Sequence, residues 1–251
     1  MSFAETLAGL LAKSHHTVFF GGAGGSAESG IPDFRSEAGL YAARQVYGYA
    51  PEDLLSRTFF LRAPEIFFRY YKENSIHREA APNAAHRALA ALEERGLLRA
   101  VVTQNIDGLH QAAGSRRVLG LHGSNWRPYC VDCGARCTLG EFLDPARCAA
   151  DGVIPRCASC GGLLRPDVVL YEESLDAGVM RAATETIARA ELLIVGGTSL
   201  AVYPAAGLLQ YFGGGALALI NKTPTPCDDR AQIVNRSALG TVLSETAALL
   251  P

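Results

Sequence analysis

Charge is scarce in this 251-residue chain, and neither sign prevails. Charged residues make up 19% of it, with 23 Lys and Arg against 25 Asp and Glu for a net charge of -2. Without a basic excess the chain lacks the long-range field that gathers nucleic acid, so any attraction to a cationic lysine-bearing tail must be local. Residues 1–16 lack a basic cluster followed by a continuous apolar run, and lack a small-residue cleavage signal. No targeting segment is expected there; Leu7, Leu10 and Leu11 stand at the spacing of a short amphipathic helix. Residues 192–221 hold no charged side chain, a length that could cross a bilayer. Gly196, Gly197, Pro204 and residues 213–215 cut that stretch into strand and helix lengths, and buried parallel strands carry such unbroken apolar runs, so no membrane partner is expected.

With 49% hydrophobic residues the chain is long enough for one large domain or two modest ones with a substantial core. Apolar runs at 17–20, 100–103, 118–121, 168–170, 192–195, 216–220 and 232–234 alternate with helical patterns, which predicts an α/β fold with a parallel sheet. The clearest helix begins after Asn83, a good N-cap, and ends at Arg95 before Gly96, with Ala85, Leu89 and Leu92 on one face. Two segments do not fit a plain nucleotide-binding unit. Residues 36–82 are rich in aromatics (Phe59, Phe60, Phe67, Phe68, Tyr70, Tyr71) and read as helical, and residues 128–164 are rich in Cys, Gly and Arg.

The first run empties into Gly21-Gly-Ala-Gly-Gly-Ser-Ala-Glu-Ser-Gly-Ile-Pro-Asp-Phe-Arg-Ser36. Gly22, Gly24 and Ala27 satisfy the spacing of a dinucleotide turn, where glycine lets backbone approach a pyrophosphate and a following helix N-terminus offers free N–H groups. Glycine turns are common; a carboxylate, an aromatic ring and a guanidinium at Asp33, Phe34 and Arg35 are less so. The acid usually found about 20 residues past such glycines has no clear counterpart, which argues against hydride transfer. Thr103-Gln-Asn-Ile-Asp-Gly-Leu-His110 again follows an apolar strand, and Leu121-His122-Gly123 follows the next. His122 is the candidate base, since imidazole titrates near neutrality and ligands gather at the carboxyl ends of parallel strands. The plainer reading is a histidine filling a polar niche. Asn105 and Asp107 read equally as helix caps. His86 and His110 stand in helical contexts and read as structural.

Cys130-x-x-Cys133 and Cys157-x-x-Cys160 present two thiolate pairs with the spacing of a zinc site. Four sulfurs would leave the metal no open position, so one structural ion is expected. Disulfides are disfavoured without a secretory signal, and unligated thiols are the remaining alternative. Cys137 could replace a neighbour, Cys148 has no clear role, and Cys227 reads as a small loop residue. Arg127, Arg136, Arg147, Arg156 and Arg165 are scattered, as on a solvated face.

These blocks, with Arg165-Pro-Asp-Val-Val169, Gly197-Thr-Ser-Leu200 and Ile220-Asn221, resemble in order the motifs of the sirtuin family of NAD-dependent protein deacylases, over essentially the whole chain. The resemblance implies a Rossmann-type NAD-binding domain (1–35, 83–127 and 165–251) with a small inserted domain (36–82 and 128–164) that carries zinc. It implies NAD contacts from Gly22, Ala23, Gly24, Ser26, Ile31, Asp33, Phe34 and Arg35, with Phe34 covering the ribose and Arg35 a phosphate. Gln104 and Asn105 would meet ribose, Ile106 and Asp107 the nicotinamide pocket, and Gly197, Thr198, Ser199 and Asn221 the phosphate and adenine ribose. His122 becomes the general base and Asn105 its catalytic companion. A substrate peptide would add a strand between Val168, Val169, Leu170 and Tyr171 on one side and Val202 and Tyr203 on the other.

Two positions depart from the family pattern. Gly25 stands where an aliphatic residue is frequent, and Glu172 where many relatives have glycine. Relatives preferring succinyl groups carry a Tyr-x-x-Arg pair; aligning it to Tyr70 and Glu73 predicts acetyl over succinyl. The expected activity is NAD-dependent deacetylation of protein lysines, with nicotinamide and O-acetyl-ADP-ribose as products, in a cytoplasmic protein for which a monomer is favoured. The alternatives are ADP-ribosyl transfer to protein, or a non-catalytic module that binds NAD or acyl-ADP-ribose. A zinc-ribbon nucleic-acid binder is disfavoured by the charge balance.

Overall fold

The computed structural model describes residues 1–32, 43–149 and 152–250. Its strands are β1 (Thr17–Gly21), β2 (Ala100–Thr103), β3 (Val118–Gly120), β4 (Gly123–Cys130), β5 (Leu164–Val168), β6 (Leu192–Gly196), β7 (Ala216–Ile220) and β8 (Ile233–Asn235). Six form one sheet in the order β3-β2-β1-β6-β7-β8, and every neighbouring pair is parallel. All residues of β1, β2 and β6 are buried, as a sheet covered on both faces requires.

The two-residue period of β1 shows how its unbroken apolar run is used. Val18 and Phe20 point into a layer with Ala183 and Ile187 of helix Ala177–Ala188 and with Leu208 and Leu209. Phe19 points the other way, toward Leu7 and Leu11 of helix Phe3–Lys13, Leu89 and Leu92 of helix Ala84–Glu94, and Val242 and Leu243 of helix Leu239–Ala248. Asn83 caps Ala84–Glu94 as expected, its Oδ1 accepting from the N–H groups of Ala85 and His86.

A third apolar cluster lies off the sheet. Helices Arg57–Arg62 and Pro64–Asn74 bring Phe59, Phe60, Phe67, Phe68, Tyr70 and Tyr71 against Phe142, Leu164, Val168 and Leu170. Here the structure corrects one expectation. The run 168–170 is not a strand of the parallel sheet; it starts at the last residue of β5, which pairs antiparallel with β4 in a separate ladder. Its apolarity serves the third cluster instead. That ladder also crosses residues 127/128 and 164/165, where domain boundaries were expected.

Candidate active site

The strand order reverses between β1 and β6, and this opens a crevice at their carboxyl ends. Past β1 the chain makes two short 3₁₀ turns, Ala23–Gly25 and Ala27–Ser29, rather than the α-helix expected after a dinucleotide turn. Past β6 it turns at Gly197, with φ of 60°. The two turns meet backbone to backbone. Gly24 N–H donates to the Gly197 carbonyl at 2.9 Å. A Cβ on Gly24 would lie 2.9 Å from Gly197 Cα, and one on Gly22 would lie 2.9 Å from Thr198 Cβ. Two of the glycines of the motif are therefore demanded by turn-to-turn contact, before any ligand arrives.

The segment after β2 is locked into these turns. Gln104 donates from its backbone to the Gly21 carbonyl at 3.0 Å and from Nε2 to Thr198 Oγ1 at 3.1 Å. Asn105 Nδ2 donates to the Gly22 carbonyl at 3.1 Å and to Ser26 Oγ at 3.0 Å. A carbonyl only accepts, so the amide orientation is fixed and Asn105 offers its oxygen to the cleft. Ser26 is almost fully buried, and its hydroxyl donates to Asp107 Oδ2 at 2.6 Å. Asp107 Oδ1 accepts from the Leu109 N–H at 2.8 Å, which is the capping role also foreseen. A carboxylate has about four acceptor sites. These two bonds leave acceptor capacity on the carboxylate, so the cap does not exhaust it.

His122 follows β3, and its Nδ1 lies 2.9 Å from the Gln104 carbonyl. That partner can only accept, so Nδ1 carries the proton and Nε2 is the basic nitrogen of the neutral ring. The His122 carbonyl in turn accepts from Val169 N–H at 3.0 Å, tying His122 to the segment expected to hold a peptide.

The cleft lining gathers Gly22, Ala23, Gly24, Ser26, Ile31, Gln104, Asn105, Ile106, Asp107, His122, Gly197, Thr198 and Ser199 with Val168, Val169, Leu170, Tyr171, Val202 and Tyr203. Asn221 is not among these residues. It is buried, with Nδ2 donating to Thr223 at 2.9 Å. Asp33, Phe34 and Arg35 lie outside the described residues.

The lining also includes Tyr71, Asn74, Ser75 and His77, which the sequence reading did not single out. Tyr70 and Glu73 are absent from it: Tyr70 packs in the third cluster against Tyr47, and Glu73 accepts from the Tyr47 hydroxyl. The helical face that meets the cleft carries Tyr71 and Asn74, one position on from Tyr70 and Glu73. Tyr71 is buried, which keeps its phenol protonated, and it donates to Asn125 Oδ1.

Arg165 does not belong to a solvated face. It forms a paired contact with Glu173 at 2.8 and 2.9 Å while both side chains are largely covered, donates to the Val168 carbonyl at 2.9 Å, and lies over Phe60. His86 and His110 are buried and in edge contact at 4.7 Å, in keeping with their structural reading.

Cys130, Cys133, Cys157 and Cys160 place their sulfurs within 4.8 Å of one another. The pairs Cys130–Cys160 and Cys133–Cys157 lie at 3.5 and 3.7 Å. A tetrahedron of thiolates about zinc has sulfur–sulfur edges of about 3.8 Å, so the set fits that ion. Backbone N–H groups of Cys160 and Ser159 favour the Cys157 thiolate, while the neighbouring sulfurs push the Cys160 thiol up, as expected of four thiols crowded together. Cys137 and Cys148 stand apart, near the Pro128 carbonyl and Lys72 Nζ respectively.

The Sir2 family model matches residues 22–204. An NAD-dependent protein deacetylase of Clostridium acetobutylicum is 52% identical over 234 residues, covering 93% of this chain and 94% of the relative. One of Cutibacterium acnes is 51% identical over 240 residues, with 96% of each chain covered. Among solved structures, a complex of Sir2 with p53 peptide and NAD+ superposes with a TM-score of 0.84 at 39% identity, covering 97% of this chain and 96% of that one. A Sir2 complex with a propionylated peptide gives a TM-score of 0.84 at 38% identity over 96% of both.

Proposed function

The chain belongs to the Sir2 family, and from that premise we propose how its cleft carries out the reaction. The activity is NAD-dependent deacetylation of protein lysines, releasing nicotinamide and O-acetyl-ADP-ribose. The observation that carries the site assignment is the His122–Gln104 hydrogen bond, which fixes the tautomer and turns Nε2 into the basic nitrogen. From there His122 takes a proton from a ribose hydroxyl. Asn105 Oδ1 accepts from ribose or an ordered water, and Asp107 accepts from the nicotinamide carboxamide, a bond that selects amide over acid. Asp33, Phe34 and Arg35 complete the cofactor set, with Asn221 beyond the lining at the adenine end. Cys130, Cys133, Cys157 and Cys160 would hold a zinc ion that joins the two knuckles and, with four sulfur ligands, has no open position for the chemistry.

The peptide lies between 168–171 and 201–203. Among the described lining residues there is no lysine or arginine, and Asn74 rather than a cation shares the helical face of Tyr71, which supports acetyl over succinyl. Free thiols suit a reducing compartment, and we place the protein in the cytoplasm as a monomer without nucleic-acid or membrane partners; among described residues no helix is long and apolar enough to cross a membrane.

The test is to follow peptide mass and nicotinamide together on an acetyl-lysine peptide, with and without NAD. Matched loss of acetyl and release of nicotinamide, reduced at least ~100-fold in His122→Ala, is expected for a lost general base. A succinyl-lysine peptide is expected to give the lower kcat/KM. Nicotinamide release with label from NAD appearing on protein, and no deacetylation, would instead establish ADP-ribosyl transfer.

A further inference from the structure

Among the described residues, two that are not glycine hold a left-handed backbone: Glu172 at φ 74° and Leu200 at φ 56°. They stand on the two segments that flank the peptide slot. Glu172 directly follows Tyr171, and Leu200 directly precedes 201–203. Side-chain-bearing residues persist in this conformation only where their surroundings over-determine it. For Leu200 the surroundings are evident, since its side chain is buried in the sheet core and its N–H donates to Thr198 Oγ1 at 3.2 Å.

Glu172 is exposed, so packing does not hold it. Its carboxylate does. Oε2 accepts from the Thr58 N–H at 2.8 Å, across 114 positions of sequence, at the start of helix Arg57–Arg62. The main chain beside it makes the same junction: Tyr171 N–H donates to the Leu55 carbonyl and Arg57 N–H to the Tyr171 carbonyl, both at 3.0 Å. On the inner side, Glu173 Oε2 accepts from the Leu170 N–H at 2.9 Å and pairs with Arg165. Residues 170–173 are thus fixed to the aromatic helices by backbone at 171 and by one side chain at 172. A glycine at 172 would take the same φ without strain, but it would bring no acceptor for Thr58.

We propose that Glu172 is a positioning residue for the acyl-lysine peptide: its carboxylate, held by Thr58, fixes the edge 168–171 at the distance and register from 201–203 that an added strand requires. This rests on the reading of the cleft as a peptide slot. The residue acts through the edge and not on the reacting atoms, so its loss weakens peptide binding and leaves NAD binding alone. Glycine removes strain and anchor together; alanine removes the anchor and keeps the strain; glutamine keeps an acceptor oxygen without the charge.

The experiment compares the wild type with Glu172→Ala, Glu172→Gly and Glu172→Gln. Binding of a fluorescein-labelled acetyl-lysine peptide is measured by anisotropy, alongside the KM for peptide and for NAD. Alanine and glycine are each expected to raise peptide Kd and KM about five- to tenfold, with kcat and the KM for NAD within twofold of wild type. Glutamine is expected to restore peptide binding to within twofold. A wild-type Kd in Glu172→Gly would overturn the proposal, because strain alone would then explain the alanine effect. So would a glutamine variant as weak as alanine, or a KM for NAD that rises in parallel. Wild-type binding of the peptide without turnover would count against the deacetylase reading alone and leave these binding comparisons standing.

Discussion

Gly24 and Gly25 are adjacent in sequence but tolerate a side chain very differently. A Cβ on Gly24 would meet the backbone of Gly197 at 2.9 Å, and neither turn can give way without moving the strand end behind it. Gly24→Ala is expected to destabilise the fold by about 1–3 kcal/mol through overpacking. It should also raise the KM for NAD tenfold or more while the KM for peptide stays near wild type, since the displaced turn faces the cofactor. A Cβ on Gly25 would meet only Leu239 Cδ2 at 3.7 Å, an ordinary contact. Gly25→Ala is therefore expected to be neutral or to stabilise by up to about 1 kcal/mol, by narrowing the unfolded ensemble. Denaturant melts and NAD kinetics on the pair decide it; equal behaviour of the two variants would show that ligand approach, not turn-to-turn contact, sets the glycine requirement. From sequence alone the glycines read as a pyrophosphate turn. Their second reason, the close approach of residues 22–25 and 197–198, needed the pairing of β1 with β6.

Elements differ in how openly the sequence declares them. The strands of the parallel sheet were legible because burial on both faces writes an unbroken apolar run, as in β1 and β6. Helix Ala84–Glu94 was legible from its cap and stripe. The ladder of β4 and β5 was not: β4 reads Gly-Ser-Asn-Trp-Arg-Pro-Tyr-Cys, with mixed burial and no clean alternation, and its register shifts between Ser124 and Tyr129. The run 168–170 was misplaced because an apolar run does not say which core it serves. Tyr71 and Asn74 were missed because helical spacing leaves the facing partner undetermined; the one-residue shift from Tyr70 is about 100° of rotation. Where that ladder is weak in apolar surface, the four cysteines tie its ends together, Cys130 closing β4 and Cys157 and Cys160 preceding β5. Chelation is expected to release one zinc per chain and to raise amide exchange in 128–164 at least ~10-fold, because a structural site contributes its binding energy to local folding. Protection in β1 and β6 should stay within twofold. Uniform loss of protection across both regions would mean that the zinc lobe and the sheet unfold as one unit.

Groups away from the chemistry contribute to the whole molecule's response to acid. His86 and His110 are buried in edge contact between helix Ala84–Glu94 and the segment after β2, with Nε2 of the first and Nδ1 of the second unpartnered. Burial pushes His110 down to about 3, with His86 adding to the effect, and burial also lowers His86 against the opposing pull of Asp107 and Glu28 and with the help of Arg87. Both rings are therefore neutral in the fold. On unfolding they return to about 6.5 and bind protons more readily than the native state does. The unfolded state then gains protons first as pH falls, so this contribution to stability is complete above about 6.5 and is lost progressively toward 3. At pH 4.5 the loss from His110 alone is on the order of 2–3 kcal/mol. Carboxylates held low in the fold, such as Glu173 beside Arg165, act in the same direction but only as pH falls through their own lower range. Between 6.5 and 5 the buried pair acts together with His16, which burial also lowers, and with the zinc-site thiolates, which protonate as pH falls. Urea unfolding of the wild type is expected to lose stability across that window, and His110→Gln, which does not titrate, to lose clearly less, whatever its own offset at pH 7.5. Parallel stability curves for the two proteins between pH 7.5 and 5 would show that the pair is not what makes the fold sensitive to acid.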